Sequence, residues 1–280
     1  LAKDPYGEPV LLLAKGVLDP GLIDVVRPSF LKAARDGTLT NRGTAVGKGI
    51  AARRIRKDGS VGQTQLVDPK WLRANLPDSN GNIIGFFDRN PRFPYCRQAA
   101  WVSNHPGHWR YVGQYLQAIS KTFAEVLPDR YAAQALQAES TNRSWVIPGT
   151  PFTTITVNIN WQTAVHYDKG DFKAGFGCMG VMGNDRYNGG LLVFPRWRLA
   201  ADVRSGDVIF FDSHEPHGNT QIVPLRPSYE RISVVCYYRS KMIECGTPEE
   251  EEQRRQAAFT ADPVAHAGAA GAVEGAEDVC

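Results

Sequence analysis

The sequence predicts an α+β fold, an antiparallel jelly-roll core buttressed by helices. Three observations predict it. Residues 152–161, FTTITVNINW, alternate and are rich in β-branched and aromatic side chains, as a half-buried strand is. Further on, LLVFP, GDVIFFD and ISVVCYY follow at short intervals, separated by Gly, Asn, Asp and Pro turns. Between the N-terminal third and these strands lies GHWRYVGQYLQAISKTFAEVLPDRYAAQALQA. There Trp109, Val112, Leu116, Ile119 and Phe123 recur at helical spacing, and Pro128 separates a second helix from the first. Strands alternating with turns close into two packed sheets, and the helix pair reads as their support.

In chain order, VLDPGLIDVVRPSFLKAARDG predicts one or two short helices, punctuated by Pro20 and Pro28 and ending near Gly37. TNRGTAVGKG is a Gly-rich loop. RRIRKDGSVGQTQLV predicts a β-hairpin, with Arg53, Arg54, Arg56 and Lys57 along one strand. Such a basic edge serves either to protect a sheet edge or to contact phosphate. Residues 77–104 read as loop-rich, with Arg89, Arg92 and Arg97 interleaved among Phe86, Phe87, Phe93 and Tyr95. That mixture suits either a loop packed on the core or a surface for an exposed base. After Thr247 the chain turns rich in Ala, Gly and Glu. EEEEQRRQAAF reads as a surface helix and the remainder as disordered. The division expected is an N-terminal extension over 1–95, a core over 96–245 and an acidic tail over 246–280.

Composition narrows the classes. At 280 residues and 42% hydrophobic content the chain can bury a full core. No apolar run is long enough to span a bilayer, so a membrane partner is not expected. The five cysteines, Cys96, Cys178, Cys236, Cys245 and Cys280, show no C-x-x-C spacing, which predicts reduced thiols and an intracellular setting. Net charge is +3, yet eight acids and two bases fall in 246–280, so the rest of the chain is distinctly basic. A basic body is compatible with a polyanionic partner.

The chemistry concentrates between Ile155 and Arg231. His166 and Asp168 form an H-x-D pair, and residues two apart on an extended chain reach one side together. His214 and His217 both follow the VIFF strand. His217 is the stronger candidate because Gly218 lets the backbone turn tightly. Two imidazoles and one carboxylate suit non-haem Fe(II), with positions left for other ligands. Arg231 opens the last strand, where a guanidinium can hold a carboxylate with two hydrogen bonds. Asn160 and Asp171 are further candidates for contact with substrate or for support of the ligands.

The ordered set HYDKGD, YNGGLLVFP, SGDVIFFDSHEPHGNT and ERISVVCYYR resembles the double-stranded β-helix (cupin-like) core of Fe(II)/2-oxoglutarate dioxygenases. More narrowly it resembles the TET/JBP group, over roughly 90–240. The resemblance implies Fe(II) held by His166, Asp168 and His217, and 2-oxoglutarate held by Arg231. With oxygen as co-substrate, the expected reaction is hydroxylation of the 5-methyl group of thymine or 5-methylcytosine in DNA. It also points to Arg97 at the substrate mouth. Where the group often carries Asn in H-x-D-x-x-N, this chain has Asp171. Two other readings stand beside it: an oxygenase of a small molecule or protein side chain, and an inactive jelly roll used for binding.

Overall fold

The structure is a computed structural model, and it describes residues 1–37, 51–55, 61–67 and 78–261. Its centre is an antiparallel eight-stranded sheet. The strands are β1 (Ala2–Lys3), β2 (Pro9–Ala14), β5 (Asn80–Phe87), β6 (Arg97–Gln98), β7 (Thr154–Ile159), β8 (Gly177–Gly183), β12 (Val208–Phe211) and β15 (Arg231–Tyr237). They run in the order β1-β2-β12-β8-β15-β7-β5-β6. Facing this sheet are two smaller pieces. One joins β10 (Leu192–Phe194) to β11 (Leu199–Ala201) and β13 (Gly218–Asn219), and the other joins β9 (Tyr187–Gly189) to β14 (Ile222–Pro224). Among the described residues every ladder is antiparallel, as a jelly roll requires.

One face of the large sheet packs on helices. α1 (Pro20–Asp36) follows β2; α2 (Ala100–Asn104), α3 (Pro106–Val126) and α4 (Pro128–Glu139) lie between β6 and β7; and α5 (Pro248–Ala261) follows β15. The pair α3 and α4 falls where helical spacing and Pro128 put it. Val112, Tyr115, Leu116, Ile119 and Phe123 form the buried stripe of α3. Gly180 on β8 is the matching contact, since a Cβ there would meet the Tyr115 hydroxyl at 2.4 Å. Along β15 the alternation is strict in direction. Ile232, Val234 and Cys236 belong to the helix-side core, while Arg231, Ser233, Val235 and Tyr237 line a cavity between the sheets.

Several expectations change. Pro20 to Asp36 is a single helix, and Pro28 does not divide it. Pro28 and Asp24 are exposed, so the carbonyl that loses its partner faces water while Ile23, Val26 and Phe30 continue the buried stripe. The segment read as loop-rich contains β5. Its run IIGFF is buried on both faces, and a strand buried on both faces shows no alternation. β5 pairs with β7 and β2 pairs with β12, so residues before 95 supply strands of the central sheet. The hairpin forms, β3 (Ala51–Ile55) against β4 (Val61–Val67), while Arg56 and Lys57 lie outside the described residues.

The cysteines also depart from the reading as reduced thiols. Cys96 and Cys245 form a disulfide across a sequence separation of 149 residues, while Cys178 and Cys236 are buried thiols. A pairing across such a distance leaves no mark in local spacing. α5 is anchored beside it. Glu251 is buried, binds Arg89, and accepts the backbone N–H groups of Cys96 (2.7 Å) and Gly246 (2.8 Å). Of the tail, residues 262–280 lie outside the described residues.

Candidate active site

His166 and His217 sit on segments that exchange two backbone hydrogen bonds, His166 N–H to His217 O and the reverse, each 2.8 Å. Asp168 N–H donates to Ser213 O at 2.9 Å. Gly218 makes this approach possible. A Cβ there would lie 2.9 Å from Val165 N and 3.0 Å from Ala164 O, so the glycine serves close packing of two chains more than the tight turn expected of it.

The ligand atoms of His166, Asp168 and His217 lie within 4.8 Å of one another, and among the described residues no other such group of three occurs. His166 Nε2 is 3.6 Å from one Asp168 oxygen and His217 Nε2 is 3.6 Å from the other. His166 Nδ1 lies 2.9 Å from Ala164 O, and His217 Nδ1 lies 2.8 Å from Glu215 O. A carbonyl oxygen only accepts, so each Nδ1 carries the proton and each Nε2 presents a lone pair toward the carboxylate. That donor set fits a divalent transition metal. His214 belongs elsewhere: its Nδ1 lies 3.1 Å from Asp212 Oδ1.

Arg231 is 3% exposed and lines the same cavity. Its Nε has no hydrogen-bond partner, and no carboxylate among the described residues pairs with it. Burial lowers its pKa, with Tyr187 acting against that shift. A buried cation without an anion is costly. Ser233, two residues along β15, lines the cavity beside it together with Thr156 and Asn158 of β7. These three did not stand out in the sequence, where polar residues on a core strand are the only signal.

Asn160 does not line the cavity. Its backbone takes the left-handed conformation (φ 52°), which Asn tolerates better than most residues. Its Oδ1 accepts Arg231 N–H at 2.8 Å, and its own N–H donates to Arg231 O at 2.8 Å. It therefore sets the backbone from which Arg231 projects. Arg97 is also away from the cavity lining, buried with its guanidinium over Phe87 (4.9 Å) and Phe93 (4.2 Å). Asp171 does line the cavity and is buried. Burial, and then the Asp168 charge, raise its carboxyl well above the ordinary range, with Ser213 acting against them. Tyr237, next to it in the lining, is pushed up to about 12 by burial.

Residues 82–240 match the family Tet_JBP, the oxygenase domain of the 2OGFeDO superfamily. Among curated proteins, the bifunctional helicase and thymine dioxygenase JBP2 of Leishmania infantum is 35% identical over 198 residues, 68% of this chain and 18% of that protein. The thymine dioxygenase JBP1 of Trypanosoma brucei brucei is 33% identical over 181 residues, 63% of this chain and 21% of that protein. The matched region thus spans about a fifth of these relatives. Among solved structures, NgTET1 in complex with 5mC DNA superposes with a TM-score of 0.50 at 15% identity, covering 84% of this chain and 96% of that one. That likeness concerns the fold, and it agrees with a double-stranded β-helix.

Proposed function

We propose, from the premise that this chain belongs to the Tet_JBP family of 2OGFeDO oxygenases, that it hydroxylates the 5-methyl group of thymine or 5-methylcytosine in DNA. The observation that carries the proposal is one cavity lined at once by His166, Asp168, His217 and the unpaired buried Arg231. The first three would hold Fe(II) and the last would hold the distal carboxylate of 2-oxoglutarate. Bound together with oxygen, these supply the oxidising power that hydroxylation of a methyl group needs.

The protein's own residues orient and enclose. Ala164 O and Glu215 O hold both imidazoles in the tautomer that presents Nε2. Asn160 fixes the backbone of Arg231. The triad lies recessed in a cavity between the sheets, where a base still stacked within a duplex does not reach it. The base is therefore extruded into it, at a cost of a few kcal/mol. Asp171 is the candidate that meets the base edge. Burial favours its neutral carboxyl, and a neutral carboxyl both donates and accepts, as an amide does. That reconciles Asp at this position with the Asn frequent in the group. The named activities of the JBP1 and JBP2 relatives favour DNA as substrate. A DNA substrate implies action inside the cell. Among the described residues no helix is long and apolar enough to cross a membrane.

The test uses the Fe(II)-loaded chain with 2-oxoglutarate, oxygen and oligonucleotides containing thymine or 5-methylcytosine. Digestion to nucleosides and mass spectrometry should show a base that has gained one oxygen atom. Succinate release without any modified base would turn the assignment to a small-molecule or protein substrate. No succinate release would leave a binding module.

A further inference from the structure

The backbone that aims the two ligands of the H-x-D segment into the cavity must aim the residues between and beside them outward. The segment is pinned by five hydrogen bonds at three residues. Thr163 N–H donates to Asn219 Oδ1 (2.7 Å) and Thr163 O accepts Asn219 N–H (2.9 Å). The paired bonds of His166 with His217, and that of Asp168 with Ser213, complete the set. On an extended chain successive side chains point to opposite sides. His166 and Asp168 face inward, while Val165 is 53% and Tyr167 is 46% exposed. Lys169 continues the outer row, with its Nζ 5.2 Å from the centre of the Tyr167 ring.

Scattered exposed apolar residues are ordinary. Two on one rigid segment at the rim of a reaction cavity are a different matter. The charge around them is one-sided. Between residues 162 and 175 the exposed residues are Val165, Tyr167, Lys169, Gly170, Lys173 and Ala174, and the charged ones are both lysines. The two acids of this stretch, Asp168 and Asp171, line the cavity. Within this stretch the outer face is thus an apolar aromatic patch with a cationic border, and none of the stretch's own carboxylates lies on it.

We infer that this outer face receives the DNA on either side of the extruded base, with Tyr167 stacking on the neighbouring base and Lys169 meeting its phosphate. The inference rests on the DNA reading above. Extruding a base leaves its neighbours without a stacking partner on one side, and an aromatic ring replaces that contact whatever the neighbouring base is. Tyr167 lies between the two ligands in the chain. A base stacked on it is therefore held at a constant distance from the reaction centre, which makes Tyr167 a positioning residue for the substrate strand. A lysine that contacts phosphate contributes through counterion release and leaves a salt-dependent signature.

The test measures fluorescence anisotropy of a labelled duplex with one target base, bound by the full chain with Fe(II) and 2-oxoglutarate under anaerobic conditions. Tyr167→Ala should weaken binding about tenfold, while Tyr167→Phe, which keeps the ring, should stay within about twofold. Lys169→Ala should lower the slope of log affinity against log salt by about one. Unchanged melting temperatures would show that these surface variants fold. Equal affinity of Tyr167→Ala and the native chain would overturn the inference, even if the native chain oxidises DNA. A native chain that neither binds nor oxidises DNA would instead remove the proposed function, and this inference with it. Sedimentation showing a dimer that Tyr167→Ala dissolves, with DNA affinity unaltered, would assign the patch to a second copy of the chain and overturn the DNA assignment.

Discussion

His166 and His217 are joined twice over: their backbones exchange two hydrogen bonds of 2.8 Å, and their rings lie 4.5 Å apart between centroids. The site is therefore a property of the barrel's closure. The segment that carries one imidazole is held in register by the segment that carries the other, and Phe211 packs against His217 with 4.9 Å between ring centroids.

Removing a ligand should then abolish turnover while leaving the fold. His217→Ala deletes one of three donors but keeps both backbone bonds to His166, since these involve no side chain. Iron content after dialysis should fall from about one per chain to near zero, and succinate release should fall at least a thousandfold, in line with the loss of metal-assisted catalysis. His214→Ala should retain iron, because His214 pairs with Asp212 outside the cluster. Inductively coupled plasma measurement on both variants decides between the two histidines.

Arg231→Met should raise KM for 2-oxoglutarate about a hundredfold, the loss expected for a two-pronged charge-assisted hydrogen bond of roughly 2–3 kcal/mol. Asn160→Gly is the companion experiment. Glycine accepts the left-handed backbone at 160 but lacks the oxygen that holds Arg231 N–H at 2.8 Å. KM for 2-oxoglutarate should rise several-fold with kcat little changed. A loss confined to kcat would argue that Asn160 acts elsewhere.

The residues legible in the sequence are those whose chemistry is local. His166 and Asp168 announce themselves by spacing two apart, and α3 by a repeat that no strand would show. Arg231 was legible as the opening of a strongly apolar strand. What escaped depends on contacts between distant segments. β5 escaped because a strand buried on both faces loses its alternation, and the helix at Pro28 because exposure excuses the missing hydrogen bond. Asn160 drew notice as a polar residue near the ligands, but its grip on the Arg231 backbone appears only when β7 and β15 are paired. Arg97 is placed at the substrate mouth by the resemblance alone, and in this chain Phe87 and Phe93 pack over its guanidinium and it is buried.

The link between the Cys96 segment and α5 should be a stability element. Reducing Cys96–Cys245 reopens a long loop in the unfolded chain, which costs about 2–4 kcal/mol of stability. The melting temperature should fall on adding dithiothreitol, and Cys96→Ser should show the lowered value without it. Glu251→Gln should add a separate loss of roughly 2–3 kcal/mol by leaving Arg89 without its carboxylate partner. Chemical denaturation of the single and double variants measures whether the two losses add. Neighbouring contacts at Cys96 N and Gly246 N predict that they do not.

Asp171 makes stability depend on pH in a direction opposite to that of a salt-bridged acid. Its folded pKa lies well above the ordinary 3.8, raised first by burial and then by the Asp168 charge. As pH rises above 3.8 the unfolded chain gives up this proton while the folded chain keeps it, so the unfolded state binds fewer protons and folding loses stability. The loss grows until pH reaches the folded pKa and is then constant. Asp171→Asn removes the titrating group and keeps the shape. In the metal-free protein it should therefore be more stable than the native chain, by a margin that widens as pH rises above the ordinary carboxyl value of 3.8. Urea denaturation across that range measures the margin. A margin that stays flat would mean that Asp171 ionises in the folded protein as it does in water, and the protonated contact proposed for the base edge would fall with it.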